Sequence, residues 1–538
     1  MLFNSYGFIF AFLPVSVVGF YLAGLIRHRL AAAWLVLCSL FFYGWWNPHF
    51  LLLLVGSIAC NYTMSRLIDR TRDRPRLQAA LLASGVAGNL LLLFFYKYLL
   101  ASLAFLGLLH ALPAGWASRI ILPLGISFFT FTQIGYLMDE KDGVVEQHGL
   151  LDYALFVTFF PHLIAGPILH NQEMIPQFAD PRTYAFRAEN LSVGLSIFAI
   201  GLAKKVIIAD PLAVAANAGF ATPHALSAYG AWQAVLSYAL QLYFDFSGYS
   251  DMAIGVARMF GIVFPLNFNS PYKSRSIIDF WHRWHMTLTR YLTLYLYNPM
   301  ALAVARWRMA RGLGTSRQAL RQPGAFAGMI LLPMVFTMTL AGIWHGAGLQ
   351  FLVFGLLHAT YLTINHAWRI FVSPPRRAGD AEAPWSVVAV SVALTFLSVV
   401  VAQVFFRAGS TSGALSMLGG MLGLHAAKGA ILFPAWLMGR THGVLPWLVH
   451  LRLVALSDTA NDLKQWLLVG IGFVMVWTLP NTQQIMVDYR PAQGPVRPFL
   501  WRRVRWHPGL GWGVALGALL IGSVCHLDDP SRFLYFQF

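Results

Sequence analysis

Apolar residues run along this chain in long blocks, and polar residues collect in the short gaps between them. The first block covers residues 8–26 and stops at Arg27, His28 and Arg29. Blocks at 31–46 and 50–64 follow, the latter running into a basic cluster from Arg66 to Arg76. Blocks at 77–112 and 120–138 are parted by Pro113 and Gly115, residues that favour a turn. Later blocks occupy 191–216, 229–262, 328–342, 349–365, 385–406, 466–479 and 509–524. A helix spans a bilayer's hydrocarbon core with roughly 20 mostly apolar residues. The pattern predicts an all-α polytopic membrane protein, a bundle of roughly 11–13 membrane-embedded helices with re-entrant segments.

Three stretches depart from simple blocks. Residues 150–169 carry Pro161, Gly166 and Pro167 inside an apolar run. Irregular backbone at membrane depth survives only against protein or a cavity. The stretch is therefore either a re-entrant segment beside an active chamber or a plain kinked helix. Residues 410–454 are mixed and glycine-rich, which predicts a hairpin that does not fully cross. Within 229–262, Asp245 and Asp251 sit among aromatic residues. Acids there are costly unless paired, so both are expected to bond backbone donors or a nearby Lys or Arg, in a structural role.

Composition narrows the class. The 538 residues are 58% hydrophobic and 11% charged, with a mean hydropathy of +0.61. Soluble domains carry about 25% charged residues, so a soluble enzyme of this length is excluded. A formal net charge of +17 would suggest nucleic acid in a soluble protein. Here the basic residues lie in the gaps between apolar blocks, which is the positive-inside pattern. The bilayer is the expected partner and nucleic acid is not. The gaps with Arg27, Arg66 to Arg76, Arg306 to Arg321, Arg376 and Arg502 are then cytoplasmic. Counting crossings places the N-terminus, the turn at His345 and the tail after Cys525 on the outer side. No signal-peptide cleavage pattern follows Met1, so the first block reads as a retained helix. Cys38, Cys60 and Cys525 are scattered and show no metal or disulfide spacing.

The chemistry concentrates in two places. One is the run from Asp279 to Arg290, with Trp281, His282, Arg283, Trp284 and His285; the other is Gly342-Ile343-Trp344-His345-Gly346. Ionisable groups at membrane depth are functional candidates by default. On a continuous helix His282 and His285 would share a face, as would Trp281 and His285, and Asp279 would pair with Arg283. A lone histidine in an apolar helix is more often a bonded structural residue, and that is the expectation for His282, His358 and His366. His345, flanked by Trp and Gly at a break between blocks, is the reverse case. No carboxylate or cysteine completes a zinc set with these histidines, so no metal is expected.

Several blocks together resemble the membrane-bound O-acyltransferase family, in its bacterial alginate O-acetyltransferase-like branch. They are Leu122-Pro123-Leu124-Gly125-Ile126-Ser127-Phe128, Phe160-Pro161-His162-Leu163-Ile164-Ala165-Gly166-Pro167, and the run from Tyr243 to Asp251. Phe280-Trp281-His282-Arg283-Trp284-His285 and Trp344-His345-Gly346 follow in the family's order. The sequence departs from many relatives at Leu292 to Met300 and at Lys141-Asp142-Gly143. The resemblance implies one integral membrane domain over 1–538: N-terminal helices at 1–118, a motif-bearing core at 119–370, C-terminal helices at 371–526, and an aromatic tail at 527–538. It implies acyl transfer to a hydroxyl through a tunnel, with His345 as the principal catalytic residue and His285 as the second. Trp344, Trp281, Trp284, His282, Asp279 and Arg283 would support the chamber.

A neutral imidazole can take a hydroxyl proton at neutral pH, which is the role expected of His345. His285 would orient the nucleophile, protonate the leaving thiolate or stabilise an oxyanion. The tail ends in Phe533-Leu534-Tyr535-Phe536-Gln537-Phe538, as similar bacterial tails do. A mobile end could place the Tyr535 hydroxyl in the tunnel as a transient acyl carrier; the competing role is an aromatic interfacial anchor. The expected function is acetyl transfer from acetyl-CoA, with no bound cofactor, across a bacterial inner membrane to an exported or cell-envelope polysaccharide. A periplasmic SGNH-type acetyltransferase is the expected partner. A lipid or D-alanyl acyltransferase and a non-enzymatic transporter or scaffold subunit are the competing readings.

Overall fold

The computed structural model describes the chain except residues 112, 114, 146–148, 373–382, 426–430, 434–453, 457–459, 497, 500–503, 528–532 and 535–538. Arg376, Arg502 and most of the predicted 410–454 hairpin lie outside the described residues. The chain opens with α1 (Gly7–Ile26), α2 (His28–Gly44), α3 (His49–Arg70) and α4 (Pro75–Phe105). Next come α5 (Ile126–Lys141), α6 (Leu150–Thr158), α7 (Ala188–Ala221) and α8 (Ala228–Met259). The motif region holds α9 (Ile277–Trp281), α10 (Met286–Leu292), α11 (Asn298–Met309), α12 (Pro323–His345) and α13 (Leu349–Ala367). The last helices are α14 (Trp385–Arg407), α15 (Thr411–Met421), α16 (Ala460–Thr478) and α17 (Leu510–Val524). Two three-residue strands, Ile431–Phe433 and Val454–Leu456, pair in parallel. Among the described residues, six helices are long and apolar enough to cross a membrane. The chain is an all-α multi-pass membrane protein, as its apolar blocks predict.

Helices α7 and α8 form the centre. Gly194 faces Gly255 and Gly201 faces Gly248, so closely that a Cβ on Gly201 would stand 2.7 Å from the Gly248 carbonyl oxygen. Small residues let backbones approach where lipid offers no hydrophobic drive between helices. The close approach brings Lys204 to Asp251 at 2.6 Å and Lys205 to Asp245 at 2.6 Å. Asp251 also accepts from the Thr482 hydroxyl and the Gln483 amide. Asp245 also accepts from the backbone N–H of Leu534, at 3.1 Å. Both acids thus have the lysine partners that their setting demands, with a backbone N–H added at Asp245 and side-chain donors at Asp251.

The stretch 150–169 is not a kinked helix. After α6 comes one helical turn, Phe160–Leu163, and then non-helical chain, buried as far as Leu169. Protein groups meet its backbone donors: Phe160 N–H donates to Ser39 Oγ, and Ile168 N–H to Thr287 Oγ1. His162 bonds the Phe156 carbonyl at 2.9 Å. This is irregular backbone held against protein, as the first of the two alternatives requires.

The motif helix also breaks, which corrects the expected face shared by His282 and His285. Helix α9 ends at Trp281, and His285 takes a left-handed backbone (φ 41°, ψ 54°) before α10 starts. For a residue with a Cβ that conformation costs about 1–2 kcal/mol. It is held by extended chain alongside, where Met286 N–H donates to the Asn267 carbonyl and Asn269 N–H to the Arg283 carbonyl. The Asp279–Arg283 pair forms as predicted, at 2.8 Å.

The lysine–aspartate centre is testable. Asp245→Leu takes one carboxylate from buried Lys205, which keeps Asp210 at 2.8 Å, and strips the Leu534 N–H of its acceptor, and is expected to cost about 1–3 kcal/mol. Asp245→Leu with Lys205→Met should recover much of that loss. Thermal unfolding in detergent would show the double variant melting above the single; a single variant as stable as the parent would refute this.

Candidate active site

Three cavities share lining residues. The first, ≈ 480 Å³, is lined by Met1, Trp45, Trp46, Lys97, Trp344 and His345 among others. The second, ≈ 40 Å³, lies between Phe246, Trp281, Trp284, His285, His345, His358 and Phe406. The third, ≈ 890 Å³, is bordered by Asp279, Trp281, His282, Arg283 and Arg290. His345 belongs to the first two, and Trp281 to the last two.

His345 is the last residue of α12. Helix α13 sets its depth, because Gly342 lies against the Phe351 carbonyl and Gly355. A Cβ on Gly342 would come within 2.4 Å of that oxygen, so α12 and α13 touch backbone to backbone. The carbonyl groups at the end of α12 are capped from α4. Lys97 Nζ donates to the Trp344 carbonyl at 2.5 Å, and the Tyr98 hydroxyl to that of Ile343 at 2.9 Å. A cation at a helix C-terminus also meets the negative end of the helix dipole. The imidazole of His345 lies edge-on to Phe406 at 4.9 Å and Phe354 at 5.9 Å. Trp344 stacks on Phe131 at 5.1 Å.

His285 sits across the small cavity, 1% exposed. Its Nδ1 lies 3.0 Å from Asn267 Oδ1, and its Nε2 has no hydrogen-bond partner among the described residues. Phe246 packs edge-on to the ring at 4.8 Å. His358 is also buried on this cavity and accepts from the Trp281 indole N–H at 3.3 Å. His358 is thus bonded, as expected of it.

The predicted site residues therefore divide. His285, His345, Trp281 and Trp284 come together on the small chamber. Trp344 lines the first cavity. His282, Asp279 and Arg283 border the third cavity instead of the chamber, and His282 is exposed there because the chain turns at it. Tyr535 lies outside the described residues. Its neighbours Phe533 and Leu534 are buried, which corrects the expectation of a mobile end at those two positions. The Phe533 ring stands against Tyr249 at 4.3 Å and beneath the Lys205 ammonium at 4.9 Å. Leu534 joins the apolar cluster of Phe351, Phe354 and Phe406, the last two of which also wall the chamber. No group of three or more metal-ligating side chains occurs among the described residues.

Sequence reasoning missed Lys97 and Asn267. Lys97 carried a signal, a lone cation inside an apolar block. Asn267 carried none, since only the folded chain sets it beside His285.

The family described as MBOAT, membrane-bound O-acyltransferase, matches residues 126–312, which include α5, the broken stretch and the His285 turn. The peptidoglycan O-acetyltransferase of Helicobacter pylori is 41% identical over 460 residues, 80% of this chain and 81% of that protein. A probable alginate O-acetylase AlgI of Azotobacter vinelandii is 33% identical with both chains covered throughout (100%). The teichoic acid D-alanyltransferase of Bacillus subtilis is 30% identical over 47% of this chain and 61% of its own length. Two histidines facing one small chamber between larger cavities, in a multi-pass helical chain with this likeness, lead to one conclusion: the chain belongs to the membrane-bound O-acyltransferase family and is an O-acyltransferase.

Proposed function

We propose that the chain passes an acetyl group from cytoplasmic acetyl-CoA through a bacterial inner membrane for O-acetylation of an exported or cell-envelope polysaccharide. One observation carries this reading: His345 lines both the first cavity and the chamber, so two substrates can reach one imidazole from opposite sides. The first cavity is built from Met1, the end of α2, the far part of α4 and the end of α12. In the positive-inside orientation all of these face outward. The third cavity, bordered by Arg283 and Arg290, would then receive the anionic donor from the cytoplasm. Arg290 already holds Glu173, its Nη2 donating to Oε2 at 2.7 Å, and Arg283 holds Asp279 at 2.8 Å, so an anionic donor would share both guanidinium groups with these carboxylates.

In the transfer, the hydroxyl oxygen attacks the thioester carbonyl carbon, the C–S bond breaks, and the hydroxyl proton ends on sulfur. His345 takes that proton as base, and His285 serves the leaving thiolate. The aromatic walls keep the chamber poor in water, which strengthens such contacts and protects the thioester from hydrolysis. Tyr535 is the first hydroxyl acylated. Leu534, the residue before it in sequence, is buried in an apolar cluster whose Phe354 and Phe406 also wall the chamber, which supports this role. A periplasmic SGNH-type acetyltransferase would take the acetyl group onward. Relatives named for peptidoglycan and alginate support a polysaccharide as the final acceptor.

The chamber's size supports acetyl over longer chains. A water needs about 10–15 Å³ of such space, so ≈ 40 Å³ suits a group of a few heavy atoms. With the purified protein, acetyl-CoA should exceed hexanoyl-CoA in kcat/KM by at least ~10-fold, since each misfitting methylene costs about 1–3 kcal/mol. Equal use of both would remove the size argument. Mass spectrometry after incubation with isotopically labelled acetyl-CoA tests the route. Label should appear on the C-terminal peptide of the parent and be absent from His345→Ala and Tyr535→Phe. Label that survives Tyr535→Phe but not His345→Ala would discard the tyrosine relay and keep the transfer. No label and no acetyl-CoA consumption by the parent with its partner would discard acetyl-CoA as donor.

A further inference from the structure

The hydrogen bonds around Asn267 fix more than a side-chain position. Asn267 is fully buried, in extended chain between α8 and α9. Its Oδ1 faces three groups: His285 Nδ1 at 3.0 Å, Thr287 Oγ1 at 2.9 Å and Thr287 N at 3.4 Å. Its Nδ2 donates to Ser250 Oγ at 2.9 Å. A backbone N–H can only donate, so the atom facing Thr287 N must be the amide oxygen, which excludes the flipped amide. The Thr287 hydroxyl accepts from Ile168 N–H at 3.0 Å and spends its own proton on the same oxygen. An amide oxygen accepts and cannot donate, so His285 Nδ1 must carry a hydrogen. A neutral imidazole then bears its lone pair on Nε2. Nε2 is buried, without a hydrogen-bond partner among the described residues, and its ring lines the chamber shared with His345.

We infer that Asn267 is a positioning residue for the transfer, locking His285 in the Nδ1–H tautomer so that a bare Nε2 faces the chamber. The inference rests on the acyl-transfer reading and narrows the role of His285 within it. In this tautomer Nε2 cannot donate to the thioester oxygen or to sulfur at the outset. It first receives the proton that His345 has taken from the attacking hydroxyl. The O–C bond forms, the C–S bond breaks, and Nε2 hands the proton to the departing sulfur, which leaves as a thiol. Both imidazoles end neutral, ready for the next cycle. Ser250 and Thr287 are the outer supports of Asn267.

The test compares Asn267→Leu, Asn267→Asp and Ser250→Ala with the parent, in detergent with acetyl-CoA. Turnover, the KM for acetyl-CoA and the pH profile of kcat/KM are measured. Asn267→Leu keeps the volume but loses the acceptor, and kcat should fall at least ~10-fold with KM within about 2-fold, as expected for part of an acid–base contribution of about 10²–10⁴. Asn267→Asp keeps an acceptor for Nδ1–H and should retain most of the turnover. A carboxylate beside the ring favours the imidazolium, so its midpoint rises and the acid limb of the profile should move to higher pH. Ser250→Ala removes only the anchor of Nδ2 and should give a smaller loss of kcat at unchanged KM, a readout that stands even where Asn267→Leu does not fold. Asn267→Leu matching the parent would overturn the inference. So would folded Asn267→Leu and Asn267→Asp variants equally inactive with no shift of the limb, or Ser250→Ala indistinguishable from the parent in kcat. A parent that consumes no acetyl-CoA would instead sink the reading beneath it, and the inference with it.

Discussion

Every polar group at membrane depth needs a partner inside the protein, and α7 and α8 show what that requires. Their backbones touch at paired glycines, and only that closeness lets Lys204 and Lys205 reach Asp251 and Asp245. The remaining capacity of the two acids then gathers distant parts of the chain: the segment at Thr482 and Gln483 onto Asp251, and the C-terminal tail at Leu534 onto Asp245. Ser250, beside Asp251 on the same helix, holds Asn267, which holds His285. The ionic centre and the chamber are therefore joined through neighbouring residues of α8, and the buried polar groups on both sides are costly to leave unpaired.

The site follows the same logic from the other side. His345 ends a helix whose last carbonyl groups are capped by Lys97 and Tyr98 of α4. His285 stands at a turn that no helix could provide. Between them is a chamber of aromatic edges, too small for much water, whose walls at His345 and Trp281 also line the larger cavities. Broken backbone near the chamber is what frees side chains to converge there. The unbroken helices behind it supply the rigidity.

The competing expectations for the histidines resolved by location. His358 is bonded to Trp281 and His162 to a backbone carbonyl, both in structural settings. His282, expected inside, faces the third cavity, because the helix predicted through it stops one residue earlier. The tail expected to be mobile is seated at Phe533 and Leu534 by the same aspartate that pairs with Lys205.

Much was legible in the residues alone. Block length and hydropathy settle the membrane class and most helix positions, because a span's energetics are local and additive along the chain. Prolines and glycine marked the broken stretch at 150–169, the i,i+4 spacing gave Asp279–Arg283, and the setting of Asp245 and Asp251 announced buried partners. Tertiary structure alone decided which partners these were, since Lys204 and Asp251 meet only when two helices pack. It also set His285 in a left-handed turn, put Asn267 behind it and brought His345 opposite. Those features arise from contacts between residues remote in sequence, and the strain at His285 is compensated by neighbours that no local pattern names.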